Sequence, residues 1–470
     1  MALPPAKSDH RIADGPSVCV IGAGPCGLTA IKNLRAVGLH RIVCYDDGDA
    51  IGGNWAFSEN AGRISVYECT YIISSKKLSG FADWPMPDDY PDFPSHRQLL
   101  AYFQSYAAKF DLEPHIRLRR RVTKVERRAD GRWTVHATNG DGTAAADEAE
   151  IFDYVLICTG HHRDPFVPTY PGAFTGRTLH SSAYRRAEPW RGARVLVVGA
   201  GNSGCDIAAD IGRVASFTCL SMRQGAYILP KLIFGRPNDV MLERARRFIP
   251  RPLLQPLLRL ISAIVVGRWE AYGLKAPQCR PLEMHPTLNT DILEALRSGR
   301  VLPRPGIERL DGEFVQFTDG RREPFDAIIW ATGFRTSFPF LAAAIADWPL
   351  TEPPPLYLKM MHGDFANLFF IGLFQPLGCI WTLADYQARI AAYQIVGRLH
   401  RPQDIADRIR REAANRHWRF AKSPRHAIEV DSHFFLAELL GELSRASAPP
   451  VAAPPAAGGV SARDSFAAAK

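Results

Sequence analysis

Two short stretches of this 470-residue chain repeat one another and decide most of what it can fold into. Ser17–Leu34 reads SVCVIGAGPCGLTAIKNL and Arg194–Ile211 reads RVLVVGAGNSGCDIAADI. Each opens on an apolar, β-branched run, passes through G-x-G-x-x-G, and continues with apolar residues at helical spacing. Strand, tight turn and helix in that order open a dinucleotide-binding unit. The first copy carries Gly22, Gly24 and Gly27, with Ala23, Pro25 and Cys26 between them. The second carries Gly199, Gly201 and Gly204, with Ser203 just ahead of the last. The first glycine of each trio lets the chain turn, the second admits a pyrophosphate to the backbone, and the third lets helix pack on strand. The phosphates then lie at a helix N-terminus, where free N–H groups favour negative charge. One such pattern is weak evidence; two in the same context are strong.

The charge beyond each turn separates the two ligands. Asp46 lies nineteen residues after Gly27, at the end of the strand-like run Arg41–Tyr45. An acid there suits a ribose hydroxyl and repels a 2′-phosphate. Arg223 lies nineteen residues after Gly204, beyond the run Ser216–Met222, and a guanidinium is what a 2′-phosphate needs. The first unit is therefore expected to bind FAD and the second NADPH.

The expected fold is α/β, with two Rossmann-like domains and the NADPH domain inserted in the FAD domain. Asp153–Gly160 (DYVLICTG) and Asp326–Gly333 (DAIIWATG) resemble one another and mark the crossings. The expected division is 1–164 and 325–442 for the FAD domain and 165–324 for the NADPH domain, with a mostly helical excursion over about 230–286. The tail 443–470, dominated by Ala, Pro, Gly and Ser, is expected to be disordered. Ser95-x-x-Gln98 predicts a capping box opening a helix through Phe110, and Gly131–Thr143 a surface hairpin.

A hydrophobic share of 46% and a charged share of 22% suit a soluble globular protein. The net charge of +9 could serve nucleic acid, but no basic stripe interleaved with aromatics appears, and a basic surface also attracts anionic dinucleotides. Nine cysteines form no C-x-x-C, which argues against a metal site, a disulfide framework and a redox dithiol. A reducing, cytoplasmic setting is expected. Met1–Pro16 has no apolar signal core. No run reaches the ~18 apolar residues a bilayer span requires. The nearest, Leu253–Val266, is broken by Gln255, Pro256 and Arg259, and reads as a buried helix in preference to a membrane-surface patch. The expected partners are a small-molecule substrate and O2; a homodimer is left open.

Between the two glycine turns stands Phe174-Thr-Gly176-Arg-Thr-Leu-His180-Ser-Ser-Ala-Tyr184. It matches F-x-G-x-x-x-H-x-x-x-Y, the identifying motif of the flavin-containing monooxygenases. Gly52-Gly53-Asn54-Trp55, Ser221-Met222-Arg223-Gln224-Gly225, Ala331-Thr332-Gly333-Phe334 and Ile371–Gly378 also resemble segments of that family, collinearly from about residue 16 to 400. The chain thus resembles the soluble, bacterial-type members of these class B flavoprotein monooxygenases. The resemblance implies FAD contacts at Gly22 to Gly27, Asp46, Asn54 and Trp55, and NADPH contacts at Ser203, Gly204 and Arg223. It also implies cofactor contacts at Thr332 and Gly333. The family's chemistry is implied as well: NADPH reduces the flavin, NADP stays bound, and dioxygen adds as a flavin C4a-peroxide. A soft nucleophile, a sulfide or an amine, then takes one oxygen atom. No catalytic triad is needed, because the cofactor carries the reactive oxygen.

His180 reads as a hinge in preference to a base, and His161 and His162 as structural. The family usually has an Asn where Ile73 stands, within Tyr67–Lys77 (YECTYIISSKK); Ser74 and Ser75 are adjacent, and Ser74 is the candidate replacement. Baeyer–Villiger oxygenation of ketones is the alternative, although such enzymes usually end the motif in Trp-Asp where this chain has Tyr184-Arg185. An uncoupled NADPH oxidase is the second alternative.

Overall fold

The computed structural model describes residues 15–139, 148–349, 352–414 and 427–446. The first repeat forms β1 (Val18–Ile21), α1 (Pro25–Ala36) and β2 (Ile42–Tyr45). All four residues of β1 are buried, as in a strand covered on both faces. The strand DYVLI provides β3 (Tyr154–Ile157), which pairs parallel with β1 in the register Val18↔Tyr154 to Ile21↔Ile157. The seven-stranded sheet runs Leu356–Tyr357, Met361–His362, Leu368–Phe370, β3, β1, β2 and Ile116–Arg117. Its last five strands are parallel.

The second sheet is wholly parallel. It comprises β4 (Arg177–His180), β5 (Arg194–Val198), β6 (Phe217–Ser221), β7 (Leu302–Arg304) and β8 (Ala327–Trp330), in the spatial order β4-β8-β5-β6-β7. Helix α2 (Asn202–Ile211) follows β5 as α1 follows β1. The two acids that open the repeated strands do one job twice. Asp153 accepts the Ser17 N–H ahead of β1 at 2.7 Å, and Asp326 accepts the Arg194 N–H at the start of β5, also at 2.7 Å.

The boundary expected at 325 does not match this topology. Ala327–Trp330 pairs with β4 and β5, so it belongs to the second sheet. The reason is that the strand closing a unit lies beside that unit's first strand, as β3 lies beside β1. The chain leaves the second sheet after Gly333, where Phe334–Arg335 pairs antiparallel with Asp164–Pro165 of the outgoing crossing.

A buried polar knot joins α1 to the helix Ile380–Ile395. Asp385 accepts from Thr29, from Lys32 at 2.7 Å and from Asn33 at 2.8 Å. The capping box is present: the Ser95 hydroxyl accepts from the Gln98 N–H, the Gln98 side chain accepts from the Ser95 N–H, and the helix runs His96–Lys109. Trp133–Asn139 and Glu148–Phe152 pair as a hairpin; its tip, 140–147, lies outside the described residues. So do residues 447–470 of the expected tail, whereas Leu443 ends the helix Ser432–Leu443.

The excursion is mostly helical, with α3 (Asn238–Phe248) and α4 (Arg251–Val265) after a small hairpin, Leu232–Ile233 with Arg236–Pro237. Its inner side packs on the first unit. Arg246 pairs with Asp431, Asp239 accepts the Ser75 N–H at 2.6 Å, and Leu377 packs beside Leu254 and Leu282. The expectation of a buried helix for Leu253–Val266 holds for one face only. Leu254 is buried, while Leu253, Leu260 and Ile264 are exposed.

Candidate active site

In each glycine turn, two of the three glycines are required by the protein itself. Gly22 has φ +105°, and a β-carbon there would sit 2.7 Å from the Cys158 carbonyl oxygen. A β-carbon on Gly27 would overlap the Gly22 carbonyl oxygen. Gly199 and Gly204 repeat both relations, with Ala331 in the place of Cys158. Gly24 is different. Its φ of −72° is open to any residue, and an added β-carbon would meet nothing closer than Gly53 Cα at 3.6 Å. Gly24 and Gly53 pack against one another with no side chain on either, since a β-carbon on Gly53 would come within 3.0 Å of Gly24 Cα; together they form a bare backbone cradle on which a bound group can rest.

The helices behind the turns are prepared for anions. The N-caps Gly24 and Gly201 supply no side-chain cap, and neither first turn contains an acid, so the leading N–H groups remain available. Asn54 and Trp55 sit on a short turn that closes on the first glycine loop: the Gly52 N–H donates to the Ala23 carbonyl at 2.9 Å. Asp46 is drawn into the same cluster, accepting from the Ala23 N–H at 2.7 Å and the Gly48 N–H at 2.6 Å. Burial raises its pKa, and the two backbone donors only partly offset this. Gly22 to Gly27, Asp46, Asn54 and Trp55 are thus assembled in one place.

Ser203 and Gly204 lie in the first turn of α2. Arg223 is exposed after β6 and makes no hydrogen bond or ion pair among the described residues. Its register is not that of Asp46. Ile21 pairs with Tyr45 and Val198 with Ser221, so Asp46 corresponds to Met222 and Arg223 lies one residue further on. The cause is one residue fewer between the third glycine and the strand end in the second unit. Asp46 turns in toward its glycine loop, whereas Arg223 leaves its guanidinium free outside.

A brace on the second turn carries no signal in the sequence. The Thr287 hydroxyl donates to the Ala200 carbonyl at 2.9 Å, the Leu288 N–H donates to Asn202 Oδ1 at 3.0 Å, and Asn289 donates to Asp206. Tyr67 of the first unit donates to Asp206 at 2.7 Å, and Tyr184 donates to Asp210 one helical turn later at 2.8 Å. Burial pushes the Asp206 carboxyl up to about 6, against the opposing pull of the Tyr67 hydroxyl and Lys231.

Thr332 and Gly333 lie at the crossing between units and directly follow Ala331, whose carbonyl backs Gly199 of the second glycine turn. The Thr332 hydroxyl donates to the Phe166 carbonyl, and the Phe166 N–H donates to the Gly333 carbonyl at 2.9 Å. His180 completes this joint. Nδ1 accepts from the Ser182 N–H at 3.2 Å, which leaves the proton on Nε2, and Nε2 donates to the Gly333 carbonyl at 2.9 Å. The ring stands edge-on to Phe334, and burial lowers its pKa, keeping it neutral. His161 is buried with Nε2 3.3 Å from Gln375 Oε1, and burial pushes its pKa down to about 4.

Ser74 is reached from the cradle through aromatic neighbours. Trp55 stands edge-to-face on Trp381, whose Nε1–H donates to the Ser79 carbonyl at 2.6 Å, and the Ser79 hydroxyl shares a 2.7 Å hydrogen bond with Ser74. Ser74 is therefore already partnered, which weakens it as a replacement for an amide. The buried Ser75 hydroxyl has no hydrogen-bond partner among the described residues. Arg185 is also spent on structure. Its guanidinium donates to the carbonyls of Ser182 and Tyr184 at 2.8 Å each, Asn60 at 2.9 Å, and Arg63.

Comparison with known proteins agrees with these features. The sequence profile described as flavin-binding monooxygenase-like matches residues 15–449. Human flavin-containing monooxygenase 5 is 36% identical over 447 residues, covering 90% of this chain and 82% of that protein. The S-allyl-L-cysteine S-oxygenase of Allium sativum shares the fold with a TM-score of 0.67 at 21% identity, over 93% of this chain and 90% of that one. An NADP+-bound cyclohexanone monooxygenase from Rhodococcus sp. Phi1 shares it with a TM-score of 0.68 at 17% identity, over 91% and 97%.

Proposed function

The chain belongs to the flavin-binding monooxygenase-like family, an FAD- and NADPH-dependent group of oxidoreductases, and we propose that it oxygenates a soft sulfur or nitrogen nucleophile at the expense of NADPH and O2. The observation that carries the reading is the pair of ligand-ready glycine turns with opposite charges behind them: Asp46 held against the first, Arg223 free beside the second. Gly22 to Gly27, Asp46, Asn54 and Trp55 would hold FAD, with its pyrophosphate in the Gly24–Gly53 cradle. Ser203, Gly204 and Arg223 would hold NADPH. Thr332 and Gly333, beside the second turn and in the joint they share with His180, would contact the cofactors there.

When bound, reduced FAD supplies the activated oxygen. The protein's own residues bind, orient and exclude water. The inner side of the excursion packs on Leu377, and Trp55, two residues after Gly53, stands edge-on against Trp381. The names of the Allium S-oxygenase and of a relative, dimethylaniline monooxygenase [N-oxide-forming] 2 of Rattus norvegicus, support sulfur or nitrogen as the acceptor. Arg185 bears on ketone chemistry: a cation bound to four carbonyls stands where ketone-oxygenating enzymes usually carry an acid. Oxygen uptake with a panel of sulfides, amines and ketones tests this. Turnover of sulfides or amines is expected; turnover of ketones alone would overturn it. The nine free thiols fit a reducing, cytoplasmic compartment.

Ile73 favours a second, partial outcome. It can neither donate nor accept, and Ser74 is bound to Ser79. A missing hydrogen bond in a dry site costs about 1–3 kcal/mol. Part of the NADPH consumed is expected to appear as hydrogen peroxide, and Ile73→Asn is expected to lower that fraction. A peroxide yield near zero in the unaltered enzyme would contradict it.

A further inference from the structure

We propose, on the reading that Arg223 takes the 2′-phosphate of NADPH, that Gly306 and Tyr170 complete the coenzyme-selecting site. Gly306 keeps clear the bed on which the Arg223 stem lies, and the Tyr170 hydroxyl is a second donor to the same phosphate. Neither residue belongs to a glycine turn or to the S-x-R-x-G segment, so neither is marked by the pattern that identifies Arg223.

Gly306 has no conformational reason to be glycine. Its φ lies outside the left-handed range, so its backbone is open to other residues. The reason lies in its surroundings. A β-carbon there would stand 3.2 Å from Arg223 Cγ, closer than the ~3.5–4.0 Å at which two carbons rest. Its next neighbours, Arg223 Cα and Thr318 Cγ2, stand at 3.8 Å. The tight contact is thus with the stem of an exposed side chain and not with the core. A larger residue would be relieved by moving Arg223, because the loop beneath it is pinned. The Met222 N–H donates to the Arg304 carbonyl at 2.9 Å, the Ser221 hydroxyl to the Pro305 carbonyl at 2.7 Å, and the Thr318 N–H to the Gly306 carbonyl at 2.9 Å.

Tyr170 approaches from the other side of the second glycine turn. Its ring stacks on Trp330, with centroids 5.9 Å apart and planes inclined by 17°. Val198, which ends β5 and leads into the turn, pairs with Trp330 on one side and with Ser221 on the other. Tyr170 and Arg223 therefore flank the turn from the two neighbouring strands. They share a face of the sheet as well, since Tyr170, Trp330 and Ile307, the residue after Gly306, belong to one apolar cluster. The stack fixes the ring, while the hydroxyl makes no hydrogen bond among the described residues. Burial pushes the Tyr170 pKa up, and the charge of Arg223 reaches the hydroxyl and opposes that shift. A phosphate between the two would accept from a guanidinium and from a phenol, both charge-assisted bonds. A ribose hydroxyl in the same place has no charge to offer either donor.

Titration calorimetry of the FAD-loaded enzyme with NADP+ and with NAD+ tests this. Gly306→Val and Tyr170→Phe should each weaken NADP+ binding about tenfold, as loss of a hydrogen bond to a charged group implies. Gly306→Ala should shift it less and in the same direction. NAD+ binding, flavin content and melting temperature should stay at the parent values in all three. In an Arg223→Ala background Gly306→Val should cost nothing further, because the stem it displaces is gone. If Arg223→Ala loses NADP+ selectively while Gly306→Val and Tyr170→Phe bind both coenzymes like the parent, this inference alone is overturned. The same holds if Gly306→Val lowers the melting temperature and weakens both coenzymes equally, which would give the glycine to the fold. Equal weakening of both coenzymes in Arg223→Ala would instead overturn the placing of NADPH, and this inference with it.

Discussion

A β-carbon at Gly24 would touch only another glycine, and this makes Gly24 the most informative residue of the first turn. Gly24→Val should fold, because neither its φ nor its nearest protein neighbour forbids a side chain, yet it should purify without flavin. Gly27→Ala should instead be misfolded, since the added carbon overlaps the Gly22 carbonyl oxygen. Far-ultraviolet circular dichroism and flavin absorbance separate the two; full flavin occupancy in Gly24→Val would contradict the cradle. Arg223→Ala should raise the KM for NADPH about 30- to 150-fold, the equivalent of ~2–3 kcal/mol for a lost forked contact. It should leave NADH nearly unchanged, and equal loss for both coenzymes would give the arginine another role. Both residues were legible because glycine spacing and a charge after a strand are local signals. The one-residue offset between Asp46 and Arg223 was not, since it depends on the length of a helix connection. The Thr287–Asn289 brace was invisible for another reason: its partners lie more than eighty residues away, and neither periodicity nor composition records them.

Among the elements, α1 depends most on a tertiary partner. Asp385 gathers Thr29, Lys32 and Asn33 of α1 onto the Ile380–Ile395 helix. Burial works to raise its pKa, but Lys32, Arg389 and the hydrogen bonds outweigh burial and leave it lowered. An acid lowered on folding contributes stability above its unfolded value, about 3.9, and loses it as pH falls through the folded value. Asp385→Ala should therefore cost about 3 kcal/mol near neutral pH. It should also flatten the acid limb of the stability profile, measured by urea unfolding from pH 6 downward. An unchanged acid limb would mean that other carboxylates govern it. The strands and first helices of both units were readable from apolar runs and glycine turns. Membership of β8 was not, because a sequence shows that a run is a strand but not which sheet it joins. The second, uncovered face of α4 was hidden for a related reason: apolar spacing reveals a face, and only the fold reveals whether anything covers it.

At the scale of the molecule, the two units meet along the crossings and through the excursion. Phe334–Arg335 pairs with Asp164–Pro165, Tyr67 donates to Asp206, Arg185 donates to the carbonyls of Asn60 and Arg63, and Arg246 of the excursion pairs with Asp431. These links fix how the Asp46 side faces the Arg223 side. The repeat and the intervening motif made this legible as an arrangement, while the acceptor it serves is written in pocket shape, which spacing does not encode. The most direct measurement is turnover of a sulfide under 18O2 with NADPH as the only reductant. One 18O atom is expected in each sulfoxide formed, with the second atom leaving as water. Sulfoxide carrying oxygen from water, or NADPH consumption that yields hydrogen peroxide and no oxygenated product from any sulfide or amine, would contradict the account.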